Sequence, residues 1–353
     1  MKKVVLIIVA LLLIIANLWV IYNSELKPVG DSKENIDFIV EKGDTYTTIA
    51  SKLKEADLIK SELAYKIYIK LNKINSLEAG KYSLNKSMSV KDIVDTLGKG
   101  SNYNTETIKI TFKEGKNMRA IASIIEENTN NTVDNVMNTL KDEEYLDSLI
   151  NEYWFITDEI KNKNIYYPLE GYLFPDTYEF LNKDVTVKTI FKTMLDNMNK
   201  KLEPYKEEIE KSEYSFHKLL TLASIVELEG ASSNDRALVA GVFYNRLKSG
   251  WALGSDVTTY YAEKMDDWTN GLTFNELNKC NSYNTRSNCF TGLPVGPICN
   301  PGLESLKATF EPSIHNDYYF VADCNGKTYL SKDASTHSRT IKDLKNKGLW
   351  CEK

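Results

Sequence analysis

No cysteine precedes Cys280, only three histidines (His217, His315 and His337) occur in 353 residues, and neither sign of charge dominates. Each shortage excludes something. The five cysteines, Cys280, Cys289, Cys299, Cys324 and Cys351, include no C-x-x-C pair and no zinc spacing. The histidines form no metal cluster, and no Ser/His or Cys/His signature of nucleophilic catalysis is present. With 49 acids and 44 bases interspersed and a net charge of -5, there is no basic field for nucleic acid. No metal, cofactor or nucleic-acid partner is expected. An odd number of cysteines leaves at least one thiol unpaired. In an exported chain, at least one bridge is expected among the first four, with its connectivity open.

What is present fits a folded chain of two or three domains: 42% hydrophobic and 26% charged residues argue against wholesale disorder. Lys2 and Lys3 precede an uncharged apolar run from Val4 to Tyr22, about the length that crosses a bilayer core. Trp19 and Tyr22 sit at its far end and no small-x-small cleavage site follows. The pattern predicts an uncleaved transmembrane helix, residues 1–23, with the N-terminus in the cytoplasm. A signal peptide that is removed is the alternative, and in either case the remainder is exported.

Residues 24–35 are polar and read as a linker. In residues 36–100, IDFIVEKGDTYTTIASKLKEADLI gives a strand, a turn at Lys42-Gly43-Asp44 and a helix capped by Thr45. The pattern recurs at Ile108, where IKITFKEGKNMRAIASIIEEN places Gly115 and Ile121-Ala122 at the offsets of Gly43 and Ile49-Ala50. A further strand and a Ser89-capped helix lie between the copies. Residues 101–160 then form a second small strand-helix unit and a helical connection, and residues 161–353 a larger domain.

Within that domain, Tyr166 to Phe180 (YYPLEGYLFPDTYEF) is aromatic, broken by proline and glycine, and carries Glu170 and Asp176. Rings beside carboxylates suit a sugar, and equally a tightly packed loop. Phe216 to Gly230 (FHKLLTLASIVELEG) is apolar on nearly every helical face and predicts a helix buried on most of its surface, with Gly230 as its stop. Glu227 falls in its last turn, on the face of Phe216, Leu220 and Ala223, while Glu229 points the other way. Two readings stand. Glu227 is a structural ion pair with Arg236 or Arg246, or it is a general acid whose ionised form is disfavoured by apolar neighbours and the negative end of the helix dipole. An amphipathic helix follows from an Asn234 cap to Gly250. Ser255 and Asp256 then occupy a turn after Gly254. Asn281 to Gly302 reads as a long loop and candidate substrate wall, and YYFVADCNGKTYLS as a hairpin turning at Asn325-Gly326.

LEGYLFPDTY (169–178), ASIVELEG (223–230), VFYNRL (242–247), SDVT (255–258), YNT with GLPVGPICNPG, and YYFVAD followed by His337 occur in this order in the MltG-type (YceG-like) endolytic murein transglycosylases, which the chain resembles over almost its whole length. The first small unit resembles LysM modules, which grip N-acetylated glycans. The resemblance implies an α+β protein with an N-terminal transmembrane helix, a small LysM-like subdomain and a larger, mainly helical catalytic domain with short β-hairpins, held at the cell membrane. It implies cleavage of the MurNAc-GlcNAc bond within peptidoglycan strands to leave 1,6-anhydro ends, with peptidoglycan synthases of the elongation machinery as partners. The family's acid falls on Glu227. Ser255, Asp256, Asn284 and Thr285 are candidates for orienting the sugar, and Tyr172 and Tyr178 for subsite walls. The chain departs from the family at Gly254 and Val257, where a glutamine and a proline are usual, at Arg286, where a tyrosine is usual, and in a longer run to Gly292 that contains Cys289. A hydrolase in which Asp256 or Glu170 activates water, or a non-catalytic wall-binding scaffold, is the alternative.

Overall fold

The computed structural model describes residues 2–74, 76–100, 107–229, 232, 235–269 and 271–351, the side chains of residues 2–12 lying outside that description. It divides into two units: residues 1–108 with 179–183, and residues 109–178 with 184–353.

The smaller unit begins with helix α1 (Lys2–Glu25). Among the described residues no helix is long and apolar enough to cross a membrane. After α1 the chain is pinned rather than free: the amide of Val90 donates to the Leu26 carbonyl, and that of Gly30 to the Lys86 carbonyl, both at 3.0 Å. Strands β1 (Ile36–Val40) and β2 (Gly80–Leu84) pair antiparallel, Ile36 opposite Leu84 and Val40 opposite Gly80. Helices α2 (Tyr46–Glu55) and α3 (Glu62–Leu71) lie between them in sequence and α4 (Val90–Gly98) follows. The caps fall where the sequence places them. Thr45 accepts from the Thr48 amide, and Ser89 forms a reciprocal capping box with Asp92. Phe38, Val40, Ile49, Leu53, Tyr65 and Ile93 fill the core.

The chain then forms β3 (Ile108–Thr111), which pairs with β4 (Thr177–Phe180). Between them come α5 (Met118–Asn128), α6 (Val133–Thr139) and α7 (Glu143–Glu152). Helices α8 (Val187–Leu202) and α9 (Lys206–Lys211) lead to α10 (Phe216–Leu228), whose Ser215 cap accepts from the Lys218 amide. Ten of its thirteen residues are buried, including the polar His217, Thr221 and Ser224. Glu229 is the C-cap, so Glu227 does lie in the last turn; Gly230 and Asn234, expected as stop and cap, lie outside the described residues. Helix α11 (Arg236–Lys248) ends before Gly250, which sits at φ +68°. Short helices α12 (Asp256–Ala262) and α13 (Phe274–Asn278) precede the expected loop, which has neither helix nor strand before α14 (Leu303–Phe310).

Strands β5 (Tyr319–Ala322) and β6 (Thr328–Ser331) form the hairpin, and α15 (Ala334–Asn346) closes the chain. Cys280 is bridged to Cys289 within the loop. The second bridge, Cys324 to Cys351, uses the cysteine that the sequence reading left aside, and the free thiol is the buried Cys299.

Candidate active site

Helix α10 is held by side chains that leave its last turn facing a different environment from its body. Ser224 Oγ accepts from the Ile298 amide at 3.0 Å, and the Cys299 thiol donates to the Ser224 carbonyl. These contacts draw the segment after Val295 along the helix and bring α14 to its end. Glu227 therefore meets donors rather than the apolar surroundings expected from its helix. Arg236 Nη2 lies 3.0 Å from Oε1, while the Gly302 amide (3.0 Å) and Ser305 Oγ (2.7 Å) donate to Oε2. The acid's side chain is 7% exposed and that of Arg236 13%. Arg236 was one of the two arginines anticipated as a partner. The amide comes from the N-terminus of α14, where a helix favours negative charge and so opposes the effect of the C-terminal end of α10.

Glu114 stands at the same place. Its carboxyl lies against Gly302, where an added Cβ would fall 2.0 Å from Oε1, so only glycine leaves room. Partial burial, then the nearby charge of Glu227, pushes the Glu114 carboxyl upward. Burial, followed by the charges of Glu227 and Glu170, also pushes the Cys299 thiol up, leaving an inert thiol. Gly115, at φ +75°, brings backbone against the end of α10: a Cβ there would meet Leu228 Cδ2 at 3.3 Å and Glu227 Cγ at 3.8 Å.

A cleft of about 520 Å³ opens beside this turn, lined by Gly115, Asn117, Ser123, Leu228, Tyr261 and Trp268. Glu227 is thus ion-paired and nearly buried, and the cleft is lined by its neighbours Gly115 and Leu228 rather than by Glu227 itself.

The remaining candidates separate into three places. Ser255, Thr258 and Thr285 form a buried knot: Thr285 Oγ1 accepts from the Ser255 amide at 3.1 Å and lies 2.8 Å from Thr258 Oγ1. Ser255 Oγ donates to Glu229 Oε1 at 2.5 Å, so the second acid of the helix end is the one that reaches the serine-aspartate turn. Asn284 is fully buried and spent on structure, donating to the carbonyls of Glu276, Leu277 and Lys279 and accepting from Thr259 Oγ1. Asp256 is exposed and paired with Arg286, whose Nη1 also donates to the Gly254 carbonyl. Gly254 and Arg286, both singled out in the sequence as unusual for the resembled motifs, are therefore in contact.

Tyr172 and Tyr178, expected as subsite walls, are core residues. Tyr172 is 0% exposed and hydrogen-bonded to His217 Nδ1, and Tyr178 donates to the Phe174 carbonyl. His217 Nε2 faces the Val295 carbonyl and so carries the proton, and burial lowers its affinity for a second one. His337 stacks on Tyr319. Glu170 is buried among the Met118 amide (3.0 Å), the Tyr261 hydroxyl (2.9 Å) and Asn300, and burial pushes its carboxyl to about 7.

Gly302, Ser305 and Glu114 join the site without being among the residues expected from the sequence. The glycine of the N-P-G run and the serine three residues into α14 were the available signals, being a helix cap and its third residue.

The chain is similar to known proteins along most of its length. Residues 38–343 match the family model described as the YceG-like family. An endolytic murein transglycosylase of Bacillus subtilis is 38% identical over 330 residues, covering 93% of this chain and 90% of the relative. An endolytic murein transglycosylase of Streptococcus pneumoniae is 30% identical over 333 residues, 90% of this chain but 60% of that longer protein. A crystal structure of a yceG-like protein from Listeria monocytogenes aligns with TM-score 0.61 at 33% identity, covering 88% of this chain and all of that one.

Proposed function

The chain belongs to the YceG-like family, and on that premise we infer that it cuts peptidoglycan strands internally as a lytic transglycosylase, breaking the MurNAc-GlcNAc bond and leaving 1,6-anhydro-MurNAc ends. One observation carries the assignment of the chemistry: Glu227 is an acid at the end of a buried helix, oriented by three donors, and its neighbours Leu228 and Gly115 line a cleft. Hydrolysis of a glycoside ordinarily needs two carboxylates, whereas a transglycosylase needs one, because the attacking hydroxyl belongs to the sugar.

Glu227, once protonated, donates to the glycosidic oxygen. The carboxylate so formed then takes the proton of the muramic acid C6 hydroxyl, which closes the anhydro ring on C1 without water. The Arg236 guanidinium, the Gly302 amide and Ser305 Oγ are placed to stabilise that carboxylate, and the nucleophile is already tethered to the substrate. Ser255 and Thr285 serve through Glu229 and the turn rather than by touching sugar, and Asp256 with Arg286 forms an exposed rim.

The apolar run from Val4 to Tyr22 anchors the enzyme in the cell membrane with its N-terminus in the cytoplasm and the chain beyond it outside. The LysM-like unit, residues 36–100, supplies a grip on the same glycan, residues 161–353 carry the catalytic chemistry, and peptidoglycan synthases are the natural neighbours of an enzyme that cuts new strands.

Mass spectrometry of digested peptidoglycan tests the reaction. Anhydro ends are expected from the protein and none from Glu227→Gln. Reducing ends would assign the chemistry to water, and an active Glu227→Gln protein would remove Glu227 from it.

A further inference from the structure

The cleft beside Glu227 is built from residues that belong to none of the six motifs as well as from residues that do. Its lining takes in the second strand-glycine-helix copy, with Gly115 at the turn, Asn117 at the cap of α5 and Ser123 in the middle of that helix. It also takes in Trp268, 41% exposed, whose ring stacks on Tyr260 with centroids 5.2 Å apart and planes 20° from parallel. An exposed indole supported from behind and facing a cleft is a surface on which the C-H face of a sugar ring packs.

Polar groups line the same cleft. Asp266 is clamped by Asn117 Nδ2 at 2.6 Å and by Arg119 through Nε (3.0 Å) and Nη2 (2.6 Å). Half of its side chain remains accessible. The Arg119 contact, outweighing partial burial, holds the Asp266 carboxyl below the usual range, so it accepts hydrogen bonds and does not donate them.

We propose that this cleft is a subsite for an N-acetylated sugar of the glycan strand, with Trp268, backed by Tyr260, as its stacking platform and Asp266 as the acceptor for its hydroxyls. The inference rests on the transglycosylase reading and adds to it where the strand lies: along α5, against the second copy of the repeat, with its scissile bond toward Leu228 and Glu227. The observation that ties cleft to chemistry is continuity, since Gly115 lines the cleft and also lies against Glu227.

The test is steady-state cleavage of uncrosslinked glycan strands by the full chain in detergent, comparing Trp268→Ala and Trp268→Phe. Loss of one stacked ring is expected to raise KM about five- to tenfold with kcat little changed, and Trp268→Phe is expected to restore most of it. In the Glu227→Gln background, calorimetric titration with the same strands should show the same weakening from Trp268→Ala. Unchanged KM and unchanged affinity in Trp268→Ala overturn the subsite, as does a fall confined to kcat or to the thermal midpoint. Such failures leave the anhydro product and the Glu227→Gln result untouched, so the subsite and the transglycosylase reading fail separately.

Discussion

The two strand-glycine-helix copies share a local plan and differ in what surrounds it. Gly43 and Gly115 both take left-handed φ, +98° and +75°, and the residues two positions later, Thr45 and Asn117, both cap the following helix. Around Gly43 an added Cβ would meet nothing within 4 Å, while at Gly115 it would press on Leu228 and approach Glu227. The first copy uses its glycine to turn the chain; the second uses the missing side chain as well, to let backbone approach the end of α10. Even the helix starts differ, because the first amide of α5 is taken by Glu170, 52 residues away. A repeat in sequence specifies a turn and a cap, and tertiary placement decides whether that turn is a connection or a wall of the site.

The sharpest way to break this comparison is to place the same β-branched residue at both glycines. Gly43→Val and Gly115→Val each force a left-handed φ on valine, at about 1–2 kcal/mol of stability. Only Gly115→Val also crowds Leu228, the residue next to Glu227 at the end of α10, and a shift of about 1 Å in a catalytic group is worth on the order of a hundredfold in rate. Cleavage by Gly115→Val is therefore expected to fall about a hundredfold while Gly43→Val keeps its rate. Equal activities in folded variants would mean that the close approach at Gly115 has no bearing on catalysis.

The acid that accepts from the first amide of α5 gives the second copy a pH dependence of its own. Glu170 is raised from 4.5 to about 7 in the folded chain, with burial as the main cause. A group held higher in the fold contributes stability that is complete below 4.5 and is lost as pH rises through about 7. The shift corresponds to roughly 3 kcal/mol. Glu170→Gln cannot ionise, so its unfolding midpoint should stay level between pH 5 and pH 8 while that of the parent chain drops. Parallel pH profiles would show that Glu170 ionises as easily in the fold as out of it.

What was legible in the sequence is what short-range chemistry decides. Thr45 and Ser89 are recognisable caps because each precedes an apolar-periodic run, Gly326 is a recognisable hairpin turn, and α10 is recognisable because apolar residues occupy nearly all its faces. Arg236 was within reach as a partner for Glu227, being nine residues on. Gly302 and Ser305 were not, because they lie 75 and 78 residues away and nothing local says that α14 begins against α10. Tyr172 and Tyr178 show the complementary error. An aromatic in an irregular segment has the same sequence appearance in a core as in a wall, and only packing decides. Trp268 has the reverse property, an isolated ring in an unremarkable stretch that becomes a platform because Tyr260 lies beneath it. The second disulfide was hidden for a similar reason, since the β5–β6 hairpin and the end of α15 meet only in space.

The smallest expected effects sharpen the comparison most finely, because they set two equivalent caps against each other. Thr45 accepts from the Thr48 amide at 3.2 Å and Asn117 from the Ala120 amide at 3.0 Å, so replacing either by alanine should cost about 1 kcal/mol. Each loss is read in the thermal transition of its own unit. The amide of Asn117 has a second task, holding Asp266 Oδ1 at 2.6 Å, for which Thr45 has no counterpart. With that contact gone Asp266 keeps Arg119 but loses one of the donors that fix its orientation, a change of about 1 kcal/mol in hydrogen bonding. Asn117→Ala is accordingly expected to raise KM for glycan strands by a few-fold, and Thr45→Ala to leave cleavage unchanged at a similar loss of stability. Matching KM values in the two variants would reduce Asn117 to a helix cap like its counterpart and leave the second copy with no part in holding substrate beyond its glycine.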